Sequence, residues 1–282
     1  MNGSARLRAA LAGGPLGSGN FRLLTGGQLT STVGDYCYAV ALPWLVLSGG
    51  GGPALLGTVL ACYGVPRVVA LPAGGVLADK LGSRRVMLIA DIARAILAGL
   101  LVLVAARHVT ALAMLGPIAA AVGAGEGLFL PAASSIMPAL LAPDHLAAGN
   151  AINMAALESG SVLGPVLGGA MVAAAGSVPA FAVDAASFAI SAVTLALIRL
   201  SRTAAAPAAT GERAEEDAAS PPAGAAEAVP GLWQFVRRER LLKLLMLVTL
   251  VANFGAAGTF EVATPALAHA RWGAGGYGAL LA

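Results

Sequence analysis

Long apolar windows with few charges recur along this chain, and no other feature constrains its fold as much, because about 20 consecutive apolar residues cross a hydrocarbon core about 30 Å thick. Seven windows fall at about 22–47, 54–76, 86–105, 110–133, 150–174, 179–200 and 241–262, and an eighth starts near Gly275. Charged residues make up 11% of the chain, less than half of the ~25% usual for soluble domains. A water-facing surface cannot be assembled from so few. Backbone groups inside lipid must satisfy one another, which leaves helices or closed barrels. Strict alternation of apolar and polar residues is absent, so the sequence predicts an all-α membrane protein.

The net charge of +3 does not collect into one basic face, so no nucleic-acid partner is expected; the lipid bilayer is. With a cytoplasmic N-terminus, Arg6, Arg8, Arg22, Lys80, Arg84, Arg85, Arg199, Arg202, Arg213, Arg237, Arg238, Arg240 and Lys243 share one side, and Arg107 and Arg271 lie on the other. That bias of 13 cations to 2 follows the positive-inside rule and places the chain in the cell membrane as a multi-pass protein, with its N-terminus and central linker cytoplasmic. Arg6 and Arg8 precede a short apolar piece that Gly13, Gly14 and Pro15 interrupt, so residues 1–21 read as a tail and not a cleaved signal. Cys37 and Cys62 fall inside spans, where a small apolar side chain is the default role.

Composition divides the rest. Residues 22–200 form a bundle of six helices, and residues 201–230, rich in Ala, Pro and acid without an aromatic anchor, read as a disordered cytoplasmic linker. Residues 231–240 place Trp233, Phe235 and Val236 before a basic cluster, as a short interfacial helix would. Residues 241–282 then open a second bundle, and "GYGALLA" ends inside an apolar run, so the chain is expected to be the first part of a longer permease that needs a second bundle or a second chain to transport. Pro72 with Gly74 and Gly75 in the second helix, and Pro165 with Gly168 and Gly169 in the fifth, fit an inverted three-plus-three repeat; chance in a chain this rich in Ala and Gly would also produce the match.

The stretch "GGVLADKLGSRR" concentrates charge between the second and third spans. Gly75 would permit close helix contact, Asp79 could cap a helix N-terminus, and Arg84 and Arg85 could pair with carboxylates on neighbouring helix ends. The charges alone would equally serve as a topology signal. In the fifth span, "GSVLGPVLGG" repeats Gly160, Gly164 and Gly168 every four residues on one face, and Pro165 removes a backbone donor. Gly169 follows. Ordinary small-residue packing would use the same pattern.

Gly75, Asp79, Lys80, Gly82, Arg84 and Arg85 resemble the loop between the second and third helices of the major facilitator superfamily. The helix-five residues Gly160, Gly164, Pro165, Gly168 and Gly169 are similar to the motif of its drug:proton antiporter branch. "GDYCYAVALPWLVL", "PRVVALPAGG", "ADIARA", "NAINMAALESG" and "FAVDAASFAIS" resemble, in that order, the macrolide-efflux and enterobactin-exporter proteins. The resemblance implies a major facilitator-type bundle, a loop that latches two bundles together in one transport state, and outward transport. One departure stands out: the fourth span lacks the arginine that many proton antiporters carry there, so the usual proton relay cannot be copied across.

At ~1.5 Å per residue, Asp35, Arg67, Arg94 and Glu126 fall near mid-membrane in the first four spans. Charges at that depth cost about 2.5–3.5 kcal/mol or more and must find partners inside the bundle. Arg67 and Arg94 serve either as structural ion pairs, with Asp91 beside Arg94, or as coupling groups. Asp35 and Glu126 are the preferred proton- and substrate-coupling candidates, since the resemblance puts helices 1 and 4 on the central cavity. Glu158 and Asp184 are expected near interfaces, and Asn150 and Asn153 as caps of the fifth helix.

Neither Lys80 nor Lys243 closes a nucleotide-binding loop of the GxxxxGK[ST] kind, which argues against ATP hydrolysis. His108, His145 and His269 are scattered, with no metal-like pairing or catalytic triad. The chain is therefore expected to be no enzyme and to need no cofactor, with the proton gradient as energy source. The expected function is proton-coupled export of small amphipathic, antibiotic-like molecules by alternating access. Its alternatives are a siderophore or metabolite exporter or facilitator without proton antiport, and a non-transporting fragment of such a permease.

Overall fold

Single glycines set two of the sharpest turns. Gly82 and Gly176 adopt φ values of 87° and 76°, a left-handed backbone that a side chain would strain, and each reverses the chain within one residue. Around them, a computed structural model describes residues 14–107, 109–199 and 258–281, together with positions 240, 244, 247 and 248. Its helices are α1 (Gly19–Ser48), α2 (Gly52–Leu81), α3 (Ser83–Ala106), α4 (Leu112–Ile136), α5 (Pro143–Ala175) and α6 (Ser177–Leu197), then a π-helical turn (Gly258–Ala263), α7 (Thr264–Arg271) and α8 (Gly273–Leu281). The described residues contain no strand. The tail before Gly14, His108, the linker 201–230, the interfacial segment 231–239 and most of the window 241–257 lie outside the described residues.

Among the described residues five helices, α2 to α6, are long and apolar enough to cross a membrane. The first helix is as long as α2, at 30 residues, but it is more polar along its core: Thr25, Gln28 and Ser31 are buried within the bundle. Its neighbours explain this. It runs between α5 and α6, so it meets protein where α2 and α3 present Val65, Val68, Val69, Ile92 and Ile96 at the surface.

Helix partnerships reproduce the expected repeat. Where α1 packs on α5 and α6, α4 packs on α2 and α3, and α3 and α6 meet each other. Exchanging the first three helices for the second three leaves that pattern unchanged, and short turns make α1 and α4 run in opposite directions, as an inverted repeat requires.

Glycines fix how closely the partners approach. A side chain at Gly160, Gly164 or Gly168 would strike Thr32, Tyr36 or Cys37 of α1, so the four-residue spacing faces one neighbour. Farther along α5, Gly169 abuts Gly278 and Ala274 of α8, which seats the second part of the chain on the same helix. The Cys37 thiol donates to the Gly164 carbonyl at 3.4 Å, and both cysteines are free.

Apolar packing forms two layers. One joins Phe21, Leu24, Met87, Ile136 and Leu195 at the end of the bundle that holds the α2–α3 turn. The other joins Val40, Leu56, Leu101, Leu115 and Phe181, and takes in Ala268, Ala274 and Tyr277 of α7 and α8. The charged residues buried among the described residues are Asp91, Arg94 and Asp184.

Two expectations change with the helix bounds. Because α5 begins at Pro143, Asn150 and Asn153 lie inside it and cannot cap it, and Glu158 stands near its middle, exposed beside Ser161. Pro143 itself opens the helix, where a missing N–H costs nothing.

Candidate functional site

The middle of the bundle holds four carboxyl groups and two guanidinium groups. From α4, Glu126 accepts from the Tyr63 hydroxyl of α2 and lies 3.2 Å from Arg67, one turn further along α2. Three glycines make that possible. Side chains at Gly123 and Gly127 would collide with the Tyr63 and Arg67 carbonyls, so their absence lets α2 lie against α4. The third, Gly125, would place a Cβ 3.0 Å from Arg94 Cγ. The run "VGAGEGLF" therefore clears space for Tyr63, Arg94 and Arg67 around one carboxylate, a pattern visible in the sequence that charge spacing alone overlooks.

On the other side, Arg94 of α3 is 2% exposed and donates to Asp35 of α1 at 2.5 Å. Its second nitrogen stands 3.9 Å from Asp91, one turn earlier on α3. The guanidinium carbon lies 4.0 Å from the centre of the Phe188 ring and 5.8 Å from that of Phe129, a cation held between aromatic faces. Asp91 is fully buried, with Ser191 of α6 alongside.

Asp184 of α6, expected near an interface, is only 2% exposed. Its depth follows from the α1–α6 crossing, where a Cβ at Gly34 would come within 2.9 Å of Asp184 Oδ1. A sequence count that measures depth from one helix end misses this, because α6 leans into α1 rather than toward lipid.

Asp35, Arg67, Arg94 and Glu126 thus come together at one level. Glycines of the fifth helix lie apart from them along the α1–α5 seam, and the charged turn lies at one end of the bundle. There the expectations for individual residues are corrected. Gly75 has open space around it, and its neighbour Gly74 makes the close approach, to Pro131, the Gly127 carbonyl and Leu128. Among the described residues no side chain caps α3, whose N-cap position is Gly82, and Asp79 is exposed. Arg84 pairs with no carboxylate among the described residues; it donates to the Leu195 and Ala196 carbonyls at 2.7 and 2.6 Å. That placement sets a cation on the negative end of α6, where free carbonyls need donors. Asn20 does similar work nearby, exchanging hydrogen bonds with the Arg199 backbone at 2.8 and 3.2 Å. Lys80 and Arg85 are exposed.

Five membrane-length apolar helices among the described residues, with a belt of paired charges, are the features of an all-α membrane protein. The chain belongs to the Major Facilitator Superfamily, whose sequence pattern it matches over residues 24–282. It is 31% identical over 251 residues to a protein named multidrug efflux pump Tap in Mycolicibacterium fortuitum, covering 83% of this chain and 56% of that one. Similarity extends to the Tap efflux pump of Mycobacterium tuberculosis (strain ATCC 25618 / H37Rv), at 32% over 181 residues, 61% of this chain and 42% of that protein. An uncharacterized transporter of the same superfamily, YfiS of Bacillus subtilis (strain 168), is 26% identical over 173 residues, 61% of this chain and 40% of that one. The chain spans about half the length of the curated relatives it matches.

Proposed function

We propose that this chain is the first part of a secondary exporter in the cell membrane, which expels small amphipathic molecules in exchange for protons by alternating access. The observation that carries the reading is the belt at mid-height: four carboxyls, Asp35, Asp91, Glu126 and Asp184, face two guanidiniums, Arg67 and Arg94. Such a group accommodates up to two more positive charges, which a proton and a cationic substrate would supply in turn. Charge left unbalanced at that depth is costly, so occupancy and conformation are linked. The relatives named multidrug efflux pumps support small-molecule export.

Of the four carboxyls, Asp35 and Glu126 are the more exposed, with side chains 38% and 16% exposed. Their partners Arg94 and Arg67 come from α3 and α2, so a proton or cation that neutralises either acid frees an arginine on another helix. A second half, from the same or another chain, completes the substrate cavity, and its glycine-lined contact with the first is the α5–α8 seam. The turn from Gly75 to Arg85 acts as the latch at the end expected to face the cytoplasm, with the N-terminus and linker on that side. No cofactor enters this scheme.

Accumulation of a lipophilic cationic dye in cells expressing the gene tests the reading. Expression is expected to lower accumulation, and a protonophore to restore it. Unchanged accumulation would remove the exporter reading, and efflux indifferent to the protonophore would remove proton exchange and leave a facilitator or siderophore-type exporter.

A further inference from the structure

Arg94 is the only cation shared by more than one acid among the described residues, and its acids differ in access. Asp35 is 38% exposed at its side chain, whereas Asp91 is fully enclosed. Asp184, at 2% exposure, is enclosed too. It has no ion pair within 4.0 Å among the described residues, and its Oδ1 has no hydrogen-bond partner. The Arg94 Nε is likewise buried without a partner. Both Asp91 oxygens are also buried without a donor, so the unserved carboxyl oxygens of Asp91 and Asp184 and the unserved Arg94 nitrogen are complementary deficits in one polar belt. Each costs stability in this arrangement.

The surroundings allow them to meet. Five helices supply the ionisable groups here: Asp35, Cys37 and Tyr38 from α1, Arg67 from α2, Asp91 and Arg94 from α3, Glu126 from α4 and Asp184 from α6, with Ser187 and Ser191 as neutral neighbours. The Ser187 hydroxyl is committed to the Asp184 backbone carbonyl at 2.7 Å, so it leaves the Asp184 carboxyl unserved. The guanidinium carbon lies over the Phe188 ring, 4.0 Å from its centre, within the ~6 Å over which an aromatic face attracts a cation. Gly125 leaves the Arg94 stem unobstructed on the α4 side.

We propose that Asp184 is a positioning residue of the transport cycle, the enclosed acceptor onto which Arg94 moves, together with Asp91, when Asp35 is neutralised from the cavity. This rests on the proton-exchange reading above. A proton bonds to the Asp35 carboxylate, the Arg94 Nη2–H···Asp35 Oδ1 bond breaks, and guanidinium N–H groups donate to Asp91 and Asp184 instead. Proton and charge are conserved: one positive charge enters at Asp35, and Arg94 carries its own charge inward. The movement draws α3 toward α6 at the point where Gly34 of α1 abuts Asp184 and Ser187. A change at one cavity-facing carboxyl thereby reaches the α1–α6 crossing, which no pairing confined to Asp35 would do.

The test combines a pH profile with a double-substitution cycle. Asp184→Asn keeps the side-chain volume and is expected to move the pH of half-maximal dye efflux, while Asp184→Glu restores the original profile in part. An unmoved profile overturns the proposal. Thermal unfolding of the purified full chain provides the second measurement, independent of transport. With Asp35→Asn, Arg94 is expected to rest on Asp91 and Asp184, so adding Asp184→Asn should lower the unfolding temperature by more than the sum of the single changes. Simple additivity overturns the shared guanidinium even if efflux is proton-coupled. Absence of protonophore-sensitive efflux in the unsubstituted protein, by contrast, sinks the proton-exchange reading and leaves the cycle to judge Arg94 sharing alone. If Asp184→Asn does not yield folded protein, Asp184→Ser takes its place in both measurements, and with either variant an unmoved profile or simple additivity overturns the proposal.

Discussion

The two arginines of the belt make an instructive contrast. Arg67 is 40% exposed at its side chain and pairs with a single acid, Glu126, which Tyr63 also supports. Arg94 is 2% exposed, serves Asp35 and Asp91 at once, and lies against an aromatic ring. Exposure decides which pair a solute can reach, and burial decides which pair holds the helices. The same residue type at the same depth therefore takes two roles, set by its neighbours.

Removing Arg94 should break that contrast most. Arg94→Ala strands Asp35 and Asp91 and should lower stability by about 3–5 kcal/mol, the usual cost of leaving a buried charge unpaired; thermal unfolding in detergent measures it. Arg67→Ala should cost only about 0–1 kcal/mol, as a half-exposed pair does. Equal losses would show that burial does not separate the two.

Crowding the approach of α2 to α4 comes next. Gly127→Val places side-chain atoms against the Arg67 carbonyl and should cost about 1–3 kcal/mol or more through overpacking. Gly75→Ala, with open space around it, should stay within about 0.5 kcal/mol. Reversal of that order in the same unfolding assay would mean that Gly75, and not Gly74, makes the helix contact.

A smaller effect on stability, with a larger one on activity, is expected for Glu126→Gln. Its fold should persist, while protonophore-sensitive dye efflux should fall about tenfold, equivalent to ~1.4 kcal/mol of barrier. Smallest is Arg84→Ala, which removes two bonds to the end of α6 and should cost about 1 kcal/mol. Faster amide exchange confined to the last turn of α6 would report it.

Much of this was legible before any coordinates. The first six helices followed from apolar windows, because lipid forbids other uses of such runs; they begin and end within a few residues of expectation except at Leu81, where α2 runs on, and at Pro143, where a polar first turn hid the start of α5, and the seventh window lies mostly outside the described residues. Asp35, Arg67, Arg94 and Glu126 were identified as a group by depth alone. Depth failed for Asp184, since it ignores which way a helix leans. Chemistry inferred from residue type failed at Arg84, which found backbone carbonyls where carboxylates were expected.

By itself the sequence determined that the chain crosses a membrane several times and that its rare charges must meet one another, for both follow from the cost of polar groups in hydrocarbon. Only the tertiary structure decided which charge meets which. Pairing depends on how closely helices approach and at what angle, and that is set by small residues such as Gly34, Gly123, Gly125 and Gly127, whose effect is exerted on neighbours distant along the chain.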